Sequence, residues 1–250
     1  MVVGTLGAAV VVACTPFGDA NGVSSAEGGG AVDAAAPDGS RVGCEPELTT
    51  CDDFERASPV GGNLSWNVDR TERALLSIDA LQFRSPTRSL KVVVAPAADA
   101  DVFARGSLSR AVDSTVRHIR LAFSVLADVD GPEVQLALFS FAATTFVFVA
   151  VQGGLVRVVE QRQTGVPATE VYNAHPIGTL VAGNWARFDL DMNVDAKTIV
   201  VHRDDGELDQ HIALMLTFGN AQTIAIGATY TRERTAPSTF YFDDVGLSAQ

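Results

Sequence analysis

Beyond Cys51 the apolar side chains recur at every second position in short runs, a period that suits strands and no other element. Ile119, Leu121, Phe123, Val125 and Ala127 alternate with polar or small residues. Ala186, Phe188, Leu190, Met192 and Val194 repeat the pattern, with Arg187, Asp189 and Asp191 facing the other way. Residues 145–151 are apolar on both faces, which predicts a central strand covered on both sides. Gly153-Gly154 then makes a hairpin turn into 155–163. Further strands are predicted over 89–95, 102–108, 133–141, 197–202, 223–229 and 239–247. Roughly ten to twelve short strands broken by Gly, Pro and Asp, with no sustained helical period, predict an all-β chain, an antiparallel β-sandwich or barrel.

Hydrophobic residues make up 47% of the 250 and charged residues 19%, a balance that supports one sizeable core. The net charge of −12 and only two lysines, Lys91 and Lys197, exclude the clustered basic surface that nucleic acid requires. Beyond the N-terminal segment no run of about 18 apolar residues occurs, so no membrane-spanning helix is expected.

Residues 2–13 are uncharged and mostly Val, Ala and Gly, a length that fits the core of a signal peptide. The run closes on Val11-Val12-Ala13-Cys14, which resembles the bacterial lipobox; Met1-Val2-Val3 departs from that pattern in lacking Lys or Arg. The resemblance implies a lipoprotein signal peptide over 1–13, an acylated Cys14 as the membrane anchor and, with Thr15 after the cysteine, delivery to the outer membrane. The competing reading is a buried apolar strand with a chance cysteine. Residues 14–43 are rich in Gly, Ala, Ser and Asp and read as a disordered tether, reaching about 30 Å as a flexible coil. The folded domain is expected over 44–250.

Three cysteines in an exported chain leave one over. Lipidation of Cys14 uses it, and Cys44 and Cys51 are expected to form a disulfide across a short polar loop, worth about 2–3 kcal/mol in the chain-entropy picture. A metal site is the rival use of that pair, but neither a CxxC spacing nor a nearby His supports it.

The order Cys51-Asp52-Asp53-Phe54-Glu55, Trp66, Ser85-Pro86 with Ser89-Leu90, Asn184-Trp185, Ile226-Gly227 and Tyr241-Phe242-Asp243-Asp244-Val245 resembles the concanavalin A-like lectin/glucanase jelly rolls, including LamG-like domains. The resemblance covers roughly residues 51–247 and implies two antiparallel sheets, one concave and ligand-binding, with Trp66 and Trp185 as packing residues. It also implies a structural calcium where the first and last strands pair, with Glu55, Asp243 and Asp244 as candidate ligands. The other reading of these carboxylates is that backbone amides or solvent satisfy them.

The Glu-x-Asp-x-x-Glu run of related hydrolases is missing: Glu207-Leu208-Asp209-Gln210-His211-Ile212 ends in Ile where the second carboxylate belongs. The alginate lyases of this fold use Arg, Gln or His and Tyr on the concave sheet; Arg105, Arg120, His118, Tyr172 and Tyr230 match no spacing of theirs. The four histidines show no metal-ligand spacing, and neither a nucleophile elbow nor a phosphate loop is present. Tyr172, Tyr230, Arg105 and Arg120 are therefore the candidate ligand-binding residues, and no catalytic residue is assigned. The expected function is a surface-tethered, non-catalytic, lectin-like lipoprotein of the bacterial envelope that binds a glycan. The alternatives are an envelope lipoprotein with a structural or interaction role and no small ligand, or a divergent polysaccharide lyase or glycoside hydrolase.

Overall fold

The period-two segments all become strands. A computed structural model describes residues 48–59, 65–96, 103–127, 131–164, 169–203, 209–231 and 236–250, all within one unit, Ser40–Gln250. Among the described residues there are fifteen strands, one 3-10 turn at Ala142–Thr144 and no α-helix. No helix among them is long and apolar enough to cross a membrane. The leader, the tether, Cys14 and Cys44 lie outside the described residues.

In chain order the strands are β1 (Thr50–Asp52), β2 (Asn67–Arg70), β3 (Ala74–Asp79), β4 (Ser89–Val94), β5 (Ala104–Ala111), β6 (His118–Ala127), β7 (Val134–Phe141) and β8 (Thr145–Gln152). They continue as β9 (Leu155–Thr164), β10 (Thr169–Thr179), β11 (Trp185–Asn193), β12 (Thr198–Arg203), β13 (Gln210–Ala213), β14 (Ala221–Thr231) and β15 (Ser238–Ala249). One sheet runs β13-β12-β11-β6-β15-β4-β3, with β1 also on β15; the other runs β10-β9-β8-β7-β14-β5-β2. Every pairing is antiparallel. This is an antiparallel β-sandwich, one of the two architectures that the alternation allowed, with the jelly-roll arrangement that the resemblance implied.

The two alternating runs named above lie side by side as β6 and β11, in register from Trp185–Leu126 to Asn193–His118. Their inward residues, Phe123 and Phe188 among them, meet Val147, Val149, Val156, Val158 and Ile226 of the other sheet in one buried cluster. The Phe123 ring lies 5.6 Å from that of Phe188 and 6.4 Å from that of Phe242. Burying so much apolar area is the main stabilising term of such a domain, at about 25 cal/mol per Å².

The first and last described strands pair. β15 lies beside β4 up to Phe242 and beside β1 from Val245, and the register on β6 slips between Asp243 and Gly246. The slip is a β-bulge with Asp244 at φ 50°, so one strand serves two neighbours in succession. Cys51, in β1, is disulfide-bonded. Trp66 packs into the core, in line with its expected role, and Trp185 is half-buried at the start of β11.

Candidate ligand groove on the seven-stranded sheet

On β8 the odd-numbered valines enter the sandwich core, whereas Phe148 and Ala150 point to the opposite face and cluster there with Val159, Leu138 and Phe146. The run that is apolar on both faces thus builds the core with one side and the floor of a groove with the other. Phe148 is only 1% exposed, although no third layer of described residues covers this face.

The register sets the groove out in rows across the sheet. Tyr172, Gln161, Phe146 and Ser140 stand opposite one another on β10, β9, β8 and β7. The next row is Ala174, Val159, Phe148, Leu138, Ala225 and Ser109, ending on β5. In the third, Arg157, Ala150, Gln135 and Tyr230 are aligned. The centre is apolar and the ends are polar or aromatic, over a groove of about 540 Å³.

β14 carries an irregularity between Ile226 and Tyr230. A bulge lets consecutive side chains turn to one face, and both Thr229 and Tyr230 line the groove. Tyr230 stacks on Phe103, centroids 5.8 Å apart at 15°, and the Arg105 guanidinium lies 5.8 Å from the same Phe103 ring. Arg105 Nη1 donates to Asp69 at 2.7 Å. At the other side the Tyr172 hydroxyl donates to Glu133 at 3.1 Å, and the same carboxylate oxygen accepts from Arg157 Nη2 at 2.6 Å. Tyr172 is 44% exposed, so its ring presents a face to the groove while its hydroxyl is held.

Three of the four predicted ligand-binding residues, Arg105, Tyr172 and Tyr230, meet in this groove. Arg120 does not. It follows Ile119 on β6 and so faces outward from the eight-stranded sheet, where its Nε donates to both oxygens of Asp189 at 3.0 Å. His118 sits on that same strand, bonded to Asp191. Phe103, Glu133, Gln135, Gln161 and Gln163 escaped the sequence reading. Their convergence depends on register between distant strands, and no local motif signals it.

The acidic residues at the chain ends also separate. Glu55 accepts from the amides of Thr87 and Arg88 and from the Thr87 hydroxyl, the last two at 2.8 and 2.7 Å. Asp243 accepts from the amides of Arg84, Ser85 and Asp244 at 2.8, 3.0 and 2.8 Å. Together they fasten the 80–88 connection through its backbone, the alternative reading of these carboxylates. Asp244 Oδ1, by contrast, is buried without a partner. Among the described residues no three His, Cys, Asp or Glu side chains are placed to share an ion.

Burial, and then the neighbouring Asp244 charge, push Asp243 from 3.8 to about 7; burial raises Asp244 as well. A carboxyl raised in the fold binds more protons there than in the unfolded chain, so its contribution to stability is full below 3.8 and is lost as pH rises through 7. Chemical denaturation should accordingly show the protein more stable near about pH 5 than near about pH 8, by on the order of 2 kcal/mol. Asp244→Asn, which removes the adjacent charge, should flatten that slope; an unchanged slope would refute the assignment.

No protein-family model and no curated protein matches the chain. Solved structures do. An endo-β-1,4-glucuronan lyase from the fungus Trichoderma reesei is similar over 81% of this chain and 96% of its own, with a TM-score of 0.60 and 12% identity. The cellulose-induced protein Cip1 is similar over 80% of this chain and 97% of its own, with a TM-score of 0.54 and 12% identity. At such identity the likeness is one of fold, and it extends over almost the whole of both neighbours.

Proposed function

We propose that the protein is a carbohydrate-binding lipoprotein whose seven-stranded sheet holds a glycan in the groove between Tyr172 on one side and Tyr230 with Arg105 on the other. The observation that carries this is the convergence of aromatic rings and side-chain amides over an apolar floor in about 540 Å³. A sugar ring has an apolar C–H face and a rim of hydroxyls. The former stacks on aromatic and aliphatic surface, and the latter pair with amides, which both donate and accept. A largely preformed concave site of this size is the usual form of a small-ligand site. Two fold neighbours named for glucuronan cleavage and for induction by cellulose add support.

In this reading the leader and Cys14 export the chain and tether it to the envelope, at the outer membrane, with residues 14–43 spacing the groove from the lipid and the Cys44–Cys51 bridge closing the start of the domain. A glycan array with the full chain tests the function. Binding to at least one glycan is expected, weakened about tenfold or more by Tyr172→Ala or Tyr230→Ala and unchanged by Arg120→Ala. A blank array would contradict the proposal, and cleavage of the bound polymer would make the protein an enzyme instead.

A further inference from the structure

From the groove's charge balance we infer that its ligand is an uncharged glycan, one without uronate, sulfate or phosphate groups; this rests on the groove being the glycan site proposed above. Among the described residues lining it, the charged side chains are Arg105 and Glu133. Each is already in a pair inside the protein. Arg105 Nη1 lies 2.7 Å from Asp69, and Glu133 lies 2.6 Å from Arg157 Nη2. The two pairs cancel and leave the groove no surplus cation for an acidic sugar.

A carboxylate brought into the groove would meet Arg105 already paired with Asp69 and Arg157 already paired with Glu133, so it would have to compete with those two acids for a counter-charge. The field of the whole molecule acts in the same direction, because a chain of net charge −12 repels a polyanion at long range. What the site does offer is neutral. Gln135, Gln161 and Gln163 line it with Thr229, and each amide can donate to one hydroxyl while accepting from another. Gln161 stands opposite Tyr172 on β10 and Phe146 on β8, so an amide adjoins two aromatic rings in one row. That row matches a neutral sugar ring lying flat with its hydroxyls to the side.

Affinity electrophoresis and calorimetry of the full chain would test this with neutral polymers (soluble cellulose derivatives, xylan, laminarin and mannan) against polyglucuronate, alginate and polygalacturonate. At least one neutral polymer should bind, more tightly than any polyuronate by at least about tenfold, and Tyr172→Ala should weaken that binding. The dissociation constant should change less than about twofold between roughly 0.02 and 0.5 M salt, since no charge pair forms. Preferential binding of a polyuronate, lost in Tyr172→Ala and weakened by salt, would overturn the inference and leave the groove as the glycan site. Binding to none of the polymers would overturn both.

Discussion

Glu160→Ala should destabilise the protein by about 3 kcal/mol or more, lowering the melting temperature by about 6–12 °C for a domain of this size. Glu160 lies on β9 with no exposed surface, facing into the sandwich among valines. Its Oε2 accepts from the backbone amides of Met215 and Leu216 at 2.8 and 2.9 Å, and His175 Nε2 lies 3.0 Å from Oε1. Met215 and Leu216 belong to the connection that leaves one sheet at β13 and enters the other at β14. One carboxylate therefore ties that crossing to β9, assisted by Arg162 Nη2 donating to the Thr217 carbonyl at 2.6 Å. Truncation removes the acceptor for two amides, each costing about 1–3 kcal/mol if left unsatisfied in the interior. Glu160→Gln, which keeps a carbonyl oxygen for the amides, should cost less. Thermal melts and urea titrations of the two variants would measure the difference, and a loss under about 1 kcal/mol in the Ala variant would show that the tie is not needed.

Gly227→Ala should cost about as much, and it should also weaken ligand binding. Gly227 sits in β14 at φ +127°, where an L side chain is strained. A Cβ there would stand 2.6 Å from the Gly106 carbonyl oxygen and 2.8 Å from the Ser107 Cα, both backbone atoms of β5 that have no room to move. Strain and overlap together amount to about 3 kcal/mol. β5 carries Arg105 and β14 carries Thr229 and Tyr230, so pushing these strands apart should splay one side of the groove. Equilibrium unfolding would give the first effect, and glycan affinity at a temperature where the variant is folded would give the second. A variant as stable as the parent would mean that the close approach of β5 and β14 is dispensable.

How much of this was legible in the sequence follows from where each strand lies in its sheet. The segments read as strands from their alternation, such as 119–127, 145–151 and 186–194, are interior strands, in which neighbours on both sides and a core on one face constrain almost every residue. β1, β2, β3, β10 and β13 fall in no predicted range; β1 is a three-residue strand, and the other four end the two sheets. An edge strand buries less and tolerates polar residues, so Asn67–Arg70 and Gln210–Ala213 carry almost no periodic signal. Thr169–Thr179 even contains Pro176, which an edge tolerates where an interior ladder would not.

The groove was partly legible for the same reason. Arg105, Tyr172 and Tyr230 are chemically conspicuous in a chain with three tyrosines, and the fold brings them together. Arg120 is equally conspicuous, but the alternation that turns it outward is identical on either sheet, and only the strand order puts it on the far side of the sandwich, against Asp189. Gln161 and Gln135 acquire their place from pairing with residues of other strands, information that no single segment contains.

Whether the seven-stranded sheet holds the glycan is tested most directly by backbone-amide NMR during titration with a ligand found on the array. The shifts should concentrate at Gln161 and Tyr172 of the β9–β10 pair, at Phe146 and Phe148 of β8, and at Thr229 and Tyr230 of β14. Shifts concentrated instead around Arg120 and Asp189 on the eight-stranded sheet, with the groove unmoved, would contradict it.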